Sequence, residues 1–260
     1  MPTEVTRSYM HNTLHQEEDW QVRTELLIKK ENLERLSRAH VFIAGLGGVG
    51  AFAAEMLCRA GVGRMTIADG DHVHASNLNR QMLGLHTTLG QHKVELMGAR
   101  LLDINPRMKL HMINEFLRDE RTNEVLETPF DYIVDAIDTL SPKIFLIRQA
   151  MMNGQPLVSS MGAGGKLDPA RVLVADFSKT HNCNLARMLR KRLKKLGVTR
   201  GFKAVFSTEL ISDEAMVAVH DEPNKKTTVG TISYMPAIFG CVCASVVIRD
   251  LIDTGTLARQ

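Results

Sequence analysis

The sequence predicts an α/β protein with a doubly wound, mostly parallel sheet, additional C-terminal strands and a buried C-terminal helix. Three observations support this fold class. Five apolar, β-rich runs alternate with helical patterns, a glycine-rich turn follows the first run, and the rhythm changes after about residue 161. Strands that are apolar almost throughout and are separated by helices are typical of a parallel sheet covered on both faces. Right-handed crossovers are expected.

The five predicted strands share an apolar, β-rich composition. In chain order they begin at His40, Met65, Leu110, Tyr132 and Pro156. The helical patterns between them begin near Val49, Leu89, Asp119 and Pro142. Each of the first four strands is thus followed by a helix that can cross back over the sheet, which is the alternation that a parallel sheet requires.

The segment after MGAGG at residues 161–165 no longer follows this alternation. The runs RVLVADF from Arg171, KAVFSTEL from Lys203 and AMVAVH from Ala215 predict extra strands. A basic helix is expected between the first two of these runs. A closing helix is predicted from about Pro236.

No linker rich in proline or serine and no internal repeat divides the chain. With 260 residues, of which 44% are hydrophobic, it can bury a full-sized core. We therefore expect a single domain over residues 19–260, with a substrate-side portion at about 161–230. Residues 1–18 contain no apolar run and are predicted to be mobile.

Charge and cysteine content limit the class of protein. The formal net charge of +3 and the pI near 8.7 neither require nor oppose a nucleic-acid partner. The four cysteines show no CxxC spacing, which favours a reduced, cytoplasmic protein without zinc. The N-terminus does not resemble a signal peptide. The apolar stretch from Ile232 to Ile248 contains Pro236 and Gly240 and is short for a membrane span, so we expect a buried helix and no membrane partner.

The run GLGGVG at residues 45–50 follows the first predicted strand and opens a helix, as in Rossmann-like folds. Its four glycines are expected to let the backbone turn tightly and approach a phosphate near the helix N-terminus; they are Gly45, Gly47, Gly48 and Gly50. Asp69, at the end of the second strand, is placed to bind ribose hydroxyls. At this point a dinucleotide-dependent oxidoreductase fits as well as an ATP-binding protein does.

Polar residues downstream favour ATP. Its triphosphate carries several negative charges and needs cationic or hydrogen-bonding side chains together with a metal ion. Asn77, Arg80, Gln81 and Lys93 supply such groups within a short segment. Asp138 follows the strand YIVDAI and is placed at the carboxyl edge of the sheet to hold magnesium. Hydride transfer to a nicotinamide requires none of these groups.

These motifs together resemble those of the ThiF, MoeB and ubiquitin-activating superfamily, whose members adenylate carboxylates. GLGGVG, the D-x-D after the second strand, SNLNRQ, GxxK and DAID all occur in order. The resemblance implies that Asp69 binds ribose, that Asn77, Arg80 and Lys93 bind the phosphates, and that Asp138 binds Mg²⁺. By the same resemblance the catalytic residues would be Arg23, Arg80, Lys93 and Asp138.

The resemblance also implies a homodimer in which Arg23 reaches into the partner's site as an arginine finger. Arg23 lies in the run RTELL, and Lys29 or Lys30 stands after that run where a glycine is common in the superfamily. Without the family pattern, Arg23 would be interpreted as a surface charge on a helix.

Three further segments closely resemble one branch, the tRNA threonylcarbamoyladenosine dehydratases. These are MGAGGKLDP at residues 161–169, ADFSKT at 175–180 and VFSTE at 205–209. The branch implies adenylation of the threonyl carboxylate of a modified adenosine in tRNA, followed by intramolecular ring closure that releases AMP. HNCNLAR stands where a DPLA-like sequence is usual. The family also suggests a monovalent cation near residues 161–165, and leaves open whether a sulfur-transfer protein is a partner.

The basic helix is a candidate for contact with the tRNA backbone. Its leucines fall on one helical face and are Leu185, Leu189, Leu193 and Leu196. The opposite face is basic, and the proposed tRNA contacts on it are Arg187, Arg190, Lys191 and Lys194. A solvated surface helix is the alternative interpretation of this pattern.

Other functions remain open at this point. An adenylyltransferase for a sulfur-carrier or ubiquitin-like protein is the main alternative, although such enzymes often carry two CxxC pairs and many use a cysteine nucleophile. Cys183 is the only cysteine in a polar loop, and nearby His181 does not by itself establish a base. His72 and His74 form an HxH without a third ligand, which is a weak metal signal. A non-catalytic dimer partner is disfavoured because the phosphate- and metal-binding residues are present.

Overall fold

The computed structural model describes residues 20–218 and 227–252. The segment 1–18, which the sequence predicts to be mobile, lies outside these residues. The described residues contain one seven-stranded sheet with helices on both faces and a separate two-stranded pair.

The seven-stranded sheet has the order β3-β2-β1-β4-β5-β7-β6. Its strands are β1 His40–Ala44, β2 Arg64–Ala68, β3 Lys109–Ile113, β4 Tyr132–Asp135, β5 Leu157–Ser160, β6 Val172–Asp176 and β7 Lys203–Ser207. All neighbours are parallel except β6, which is antiparallel to β7. A separate antiparallel pair is formed by β8 Met216–Ala218 and β9 Thr227–Val229. The predicted mostly parallel sheet with additional C-terminal strands is confirmed.

Eight α-helices are found in the described part of the chain. They are α1 Val22–Ile28, α2 Lys30–Arg38, α3 Gly50–Arg59, α4 Lys93–Ile104, α5 Asp119–Leu126, α6 Leu140–Met152, α7 Asn184–Lys194 and α8 Tyr234–Ile252. The helix predicted near Leu89 begins four residues later because Gly90 has a φ of +79° and His92 forms an isolated β-bridge with His72. The loop before α4 is therefore held against the segment that follows β2.

Side-chain alternation along β1 divides the core into two layers. Val41 and Ile43 pack with α3, α4 and α8 on one face of the sheet, whereas Phe42 and Ala44 pack with α5, α6 and α7 on the other. Phe42 stacks on Phe130 with ring centroids 5.0 Å apart. Each large apolar side chain that is fully buried contributes about 1.5–3 kcal/mol, so burial on both faces explains why β1 is apolar after its first residue.

Helix α8 packs along α3 in the first layer. A Cβ atom at Gly240 would overlap the carbonyl oxygen of Val49, so glycine allows the two backbones to approach closely. Among the described residues, α8 is the one helix long and apolar enough to cross a membrane, but 50% of its apolar window is buried inside the protein. The predicted buried C-terminal helix is confirmed, and it begins at Tyr234, two residues before the predicted Pro236.

Strands β6 and β7 are joined by a long excursion, residues 177–202, that contains α7. Its two ends meet, because the Phe177 N–H donates to the Phe202 carbonyl at 3.0 Å and the two rings stack with centroids 4.6 Å apart. Helix α7 therefore lies outside the sheet on a closed loop.

Strand order reverses between β1 and β4. β1 is paired with β2 on one side and with β4 on the other, so the connections after these strands leave in opposite directions. In open parallel sheets, ligands bind in the crevice that this reversal opens beyond the carboxyl ends of the strands. Residues that follow β1, β2 and β4 are therefore the first candidates for a binding site.

Candidate active site

The glycine-rich loop, residues 45–50, connects β1 to α3 at this crevice. Gly45 has a φ of +89°, and a Cβ atom on it would lie 2.9 Å from the Ala136 carbonyl oxygen. A Cβ atom on Gly50 would overlap the Gly45 carbonyl oxygen, so the loop closes on its own first residue. Packing requires glycine at both positions, and the positive φ favours it at Gly45 as well.

The middle of the loop meets the start of α8. A Cβ atom on Gly48 would lie 2.9 Å from Pro236, whereas one on Gly47 would find its nearest neighbour, Gln81 Nε2, at 3.8 Å. Protein atoms would therefore leave room for a side chain at position 47, and steric crowding within the protein does not explain the glycine there. Helix α3 has no side-chain N-cap, so no capping side chain occupies the N–H groups of its first turn. This is the arrangement of an anion site at a helix N-terminus.

Asp69 links the end of β2 to the loop. One of its carboxylate oxygens accepts the Leu46 N–H at 2.6 Å, and the other accepts the Asp71 N–H at 2.8 Å. Burial raises the pKa of Asp69, although these hydrogen bonds and the Lys93 charge oppose the rise. Each oxygen keeps a further lone pair that can accept a ribose hydroxyl.

Lys93 is buried at the start of α4 and forms an ion pair with Asp71. Burial would raise the pKa of Asp71, but the hydrogen bond and the charge of Lys93 hold it below its usual value. The sequence assigned Lys93 to phosphate, and the structure adds a carboxylate partner that the sequence reasoning did not assign. An ammonium has three donors, so the pair with Asp71 leaves others for a phosphate.

Asn77 and Arg80 shape the turn between Asp71 and α4. Asn77 is buried and its Oδ1 accepts the His74 N–H at 3.1 Å, which fixes a short 3₁₀ turn. The Arg80 guanidinium donates to the Ser76 carbonyl at 2.7 Å. Asn77 therefore acts first on the backbone of the turn, while Arg80 is half-buried beside it.

The buried Oε1 atom of the Gln81 amide has no hydrogen-bond partner in the described part of the chain. This amide lies beside Gly47. An amide oxygen only accepts hydrogen bonds, so the group of Gln81 that can donate to a phosphate is Nε2, the atom nearest to Gly47.

Asp138 lies three residues beyond β4 and is exposed. Within the residues that the structure describes, its carboxylate has no hydrogen-bond or ion-pair partner. The described residues contain no group of three or more His, Cys, Asp or Glu side chains that could hold a metal ion. A single carboxylate together with phosphate oxygens is nevertheless a common way of binding Mg²⁺, so the residues fit that ion.

Asp135, the last residue of β4, forms a fully buried ion pair with Lys143, which was not identified from the sequence pattern. Lys143 Nζ is 2.7 Å from a carboxylate oxygen of Asp135, and the Ser159 hydroxyl donates to the same oxygen at 2.6 Å. Lys143 also donates to the Ile137 carbonyl at 2.9 Å. The signal available in the sequence was a carboxylate inside an apolar strand, since a buried charge there requires a partner.

The basic helix α7 presents most of its cations to solvent. Leu189 and Leu193 are buried against the second core layer, while Arg187, Lys191 and Lys194 are exposed. Further exposed cations on this helix or just after it are Arg192 and Lys195. We call the exposed cations of this helix, Arg187, Lys191, Arg192, Lys194 and Lys195, the basic ridge.

Arg190 differs from the other three predicted tRNA contacts. It is half-buried, and its guanidinium donates to both the carbonyl, at 2.6 Å, and the hydroxyl of Thr180. Arg190 thus fastens α7 to the segment that precedes it. The periodicity of the sequence could not show this, because the bond depends on how residues 180–183 fold back.

Cys183 begins α7 as its N-cap, and its sulfur accepts the Ala186 N–H at 3.5 Å. It is buried. The ring of His181 packs edge-on against Phe206, and its Nδ1 contacts the Lys179 carbonyl. The two residues do not form a nucleophile–base pair, so a thioester step has no support from this geometry.

Arg23 lies on α1, a helix with no buried residue. Leu26 and Leu27 on the same helix are 73% and 82% exposed. Lys29, between α1 and α2, has a φ of +73°, in the left-handed region that favours glycine. The lysine noted in the sequence at a position where the superfamily commonly has glycine thus adopts the backbone conformation of a glycine.

Comparison with known proteins identifies the family. A model of the ThiF family matches residues 20–259. The chain belongs to the ThiF family. Among ThiF-family relatives, the tRNA threonylcarbamoyladenosine dehydratase of Bacillus subtilis (strain 168) is 39% identical over 244 residues, which cover 91% of this chain and 96% of the relative.

Solved structures of related proteins share the fold. The crystal structure of E. coli tRNA N6-threonylcarbamoyladenosine dehydratase in complex with ATP superposes with a TM-score of 0.81 and 33% identity, covering 88% of this chain and 92% of that one. The structure of the same E. coli protein with AMP gives a TM-score of 0.80. The molybdopterin-synthase adenylyltransferase of Haemophilus influenzae is 34% identical, but over a stretch that covers only 56% of this chain.

Proposed function

We infer that this protein is an ATP-dependent tRNA threonylcarbamoyladenosine dehydratase. One observation carries the inference: its similarity to dehydratases extends over about nine-tenths of both chains, whereas the similarity to an adenylyltransferase covers about half of this chain. The whole-length similarity includes the substrate-side portion at about 161–230. In our proposal this portion belongs to one adenylating domain that spans residues 19–260.

The proposed reaction has two steps. The threonyl carboxylate attacks the α-phosphate of ATP, which gives an acyl adenylate and pyrophosphate. An atom of the neighbouring carbamoyl group then attacks the activated carbonyl, closes a five-membered ring with loss of one carbamoyl N–H proton, and releases AMP, so that the nucleoside loses one water overall. Because the nucleophile is part of the substrate, its effective concentration can lower the barrier by about 7–11 kcal/mol. A protein cysteine is then unnecessary, in agreement with the capping role of Cys183.

The protein's contribution is to bind phosphates, orient the carboxylate and exclude water from the adenylate. The glycine-rich loop and the start of α3 would receive the phosphates, and Asp69 the ribose. Arg80 and Lys93 would neutralise phosphate charge, and Asn77 would hold the turn that carries Arg80. Asp138 would hold Mg²⁺, which neutralises charge on the phosphates when it is bound.

Three further partners of the proposed enzyme follow from the resemblance. The tRNA backbone would lie along the basic ridge, with Arg187, Lys191 and Lys194 in contact and Arg190 holding the helix in place. A second copy of the chain would supply Arg23. A sulfur-transfer protein stays a prediction of the resemblance, as does a cytoplasmic location.

A monovalent cation near residues 161–165 also stays a prediction. The carbonyl oxygens of Asn182 and Glu209, next to this loop, are poor ligands for such a cation because the ammonium of Lys166 already binds both of them. No step of the proposed reaction depends on such an ion.

The decisive experiment is incubation of the protein with ATP, Mg²⁺ and tRNA from a strain that lacks the activity, followed by nucleoside mass analysis. The threonylcarbamoyl nucleoside should lose the mass of one water. Asp138→Asn and Lys93→Ala should each reduce the rate by about a hundredfold or more, since each removes charge stabilisation from the transition state. Asp103→Asn and Lys109→Ala, which alter exposed residues outside the site, are matched controls.

The adenylyltransferase alternative predicts a different result. ATP–pyrophosphate exchange would then depend on a protein that ends in glycine and would be unaffected by tRNA. Exchange that requires tRNA, together with the loss of water from the nucleoside, would exclude it. Full cyclisation activity in Asp138→Asn would contradict the role proposed for that carboxylate.

A further inference from the structure

Lys166 is an almost completely buried lysine outside the proposed ATP-binding groups. It is 2% exposed and follows directly after Gly164 and Gly165. Burial lowers its pKa, and the nearby Cys183 and Glu209 oppose that effect. Burial of an ammonium group destabilises the folded state unless acceptor atoms surround the group, so the acceptors that Lys166 contacts indicate its role.

Those partners are two backbone carbonyl groups from two other segments of the chain. Lys166 Nζ donates to the Asn182 carbonyl at 3.2 Å and to the Glu209 carbonyl. In return, the Glu209 carboxylate accepts the backbone N–H groups of Leu167 and Asp168, each at 3.1 Å. Although desolvation raises the pKa of Glu209, these hydrogen bonds hold it below its usual value. The segment that begins at Lys166 and the segment that contains Glu209 are therefore joined through both the side chain of Lys166 and the side chain of Glu209.

Asn182 connects this arrangement to the basic ridge. Its side chain donates to the Thr208 carbonyl at 2.7 Å, and its backbone has a φ of +52°. It immediately precedes Cys183, the N-cap of α7. The position of the first turn of α7 is thus set by the carbonyl that Lys166 binds. We call Lys166, Asn182 and Glu209 the loop junction.

The junction also reaches the glycine-rich loop. Tyr234, the first residue of α8, donates its hydroxyl to the Leu167 carbonyl at 2.8 Å. Two residues later Pro236 lies against Gly48. The residue after Lys166 is therefore connected, through the start of α8, to the loop proposed to bind the phosphates.

We propose that Lys166 is a positioning residue that fixes the basic ridge relative to the phosphate-binding loop and so sets where the tRNA carboxylate meets the ATP α-phosphate. An ammonium suits this task because its three N–H groups can satisfy several carbonyl oxygens from separate segments. An apolar side chain of the same length would leave both carbonyls unpaired. The proposal rests on the proposed function, since it concerns how tRNA is presented to ATP.

The test compares Lys166→Met with the wild-type enzyme in the nucleoside mass assay. We expect the KM for tRNA to rise, or kcat to fall, by about tenfold, since two hydrogen bonds to a charged group are removed. The KM for ATP and the affinity for ATP alone should change by less than about twofold, because no ATP-binding group is altered. Lys109→Met, at an exposed lysine on β3, is the matched control and should leave all constants unchanged.

Chemical rescue separates a missing ammonium from general damage to the fold. Lys166→Ala leaves space for a small cation, so added n-propylammonium should restore tRNA-dependent turnover, whereas n-propanol should not. Absence of rescue, combined with equal losses for tRNA and ATP, would show that Lys166 only supports the fold.

Glu209→Gln tests the other half of the junction and keeps the proposal testable if Lys166 variants do not fold. It retains the carbonyl that binds Lys166 but weakens the hydrogen bonds to Leu167 and Asp168, so the same selective effect on tRNA is expected. An unchanged KM and kcat for tRNA in both Glu209→Gln and Lys166→Met would overturn the proposal. A wild-type protein that fails to cyclise the nucleoside would instead overturn the proposed function.

Discussion

Asp135 and Lys143 form a fully buried ion pair near the candidate site. This pair contributes to the stability of the fold, whereas the nearby Asp138 is exposed. Both are fully buried, and each is further satisfied by a hydroxyl or a backbone group. Taking two charges out of water is costly, and their attraction offsets this only when the geometry is good. The pair therefore makes stability depend on both partners being present.

Removal of one partner should be far more damaging than removal of both. Lys143→Met leaves the Asp135 carboxylate unpaired in the core, and we expect the free energy of unfolding to fall by about 3–5 kcal/mol in urea titrations. The double variant Asp135→Leu with Lys143→Met should lose less. If the single variant is as stable as Lys109→Met, the ion pair does not contribute in this way.

For individual residues, the sequence predicted where a side chain lies better than it predicted which side chain it pairs with. Asp69 and Asp138 follow strands whose carboxyl ends meet at one edge, so their location could be inferred from the order of elements. The partnership of Lys93 with Asp71 and the burial of Lys143 could not, because they depend on distances between segments that are far apart in the chain. Arg190 has the right residue type for the basic ridge but is committed to Thr180.

Among the elements, α7 combines a buried apolar face with an exposed basic one. The helix contains no acidic residue, so none of its cations is neutralised within the helix. In the proposed enzyme these cations are expected to contact phosphates of the tRNA backbone.

Charge reversal on this helix tests that interaction. The triple variant Arg187→Glu, Lys191→Glu, Lys194→Glu should weaken tRNA binding at least tenfold, and should reduce the salt slope by about 0.7–0.9 for each phosphate that the protein no longer neutralises. Arg190 is kept because its replacement would loosen the helix. Reversal of Arg64, Arg107 and Lys109, exposed cations at the opposite edge of the sheet, is the matched control. Equal effects of the two triple variants would mean that only net charge matters.

Helices α3 and α4 are joined by Glu55, which pairs with Arg59 on its own helix and with Arg100 on the next. Desolvation raises the pKa of Glu55, but the hydrogen bonds from Arg100 and Arg59 outweigh it and the pKa lies below its ordinary value of 4.5. A carboxylate whose pKa is lowered in the folded state stabilises the protein above the unfolded pKa. This stabilisation is lost as the pH falls below 4.5 through the folded pKa.

Glu55→Gln should therefore destabilise the protein by about 1 kcal/mol at pH 7 and by progressively less as the pH falls below 4.5. Chemical denaturation at several pH values measures the difference. Glu95→Gln, at an exposed position on α4, should leave both the stability and its pH dependence unchanged. A difference for Glu55→Gln that does not vary with pH would indicate poorer packing rather than a missing charge pair.

For the whole molecule, the surface of α1 is the feature that a single chain does not explain. Leu26 and Leu27 are exposed on a helix with no buried residue, next to the predicted arginine finger Arg23. In the proposed homodimer a second copy would cover these leucines and receive Arg23. The overall architecture was predictable because alternating strands and helices leave few topologies, but an assembly depends on surfaces that sequence periodicity does not specify.

Subunit mixing tests the homodimer directly. Leu26→Asp with Leu27→Asp should give a monomer by size-exclusion chromatography with light scattering, whereas the surface change Leu102→Asp should not. Arg23→Ala and Asp138→Asn should each be inactive alone. Mixed subunits should regain about a quarter of wild-type activity, because half of the dimers then contain one intact site. No regained activity after verified subunit exchange would place Arg23 outside the partner's site.

The closed excursion of residues 177–202 has a consequence for how this fold can acquire new substrates. Its two ends meet at the stacked pair Phe177 and Phe202, and its inner face is held by the buried Leu189 and Leu193, so the part that can vary is its exposed face. An exchange confined to its exposed positions preserves the buried contacts and the register of β6 on β7 while replacing the surface offered to the substrate. The exposed face of α7 is therefore a natural unit for grafting: a chimera that takes only the exposed positions of this helix from another ThiF-family protein should keep its nucleotide site and change its choice of acceptor.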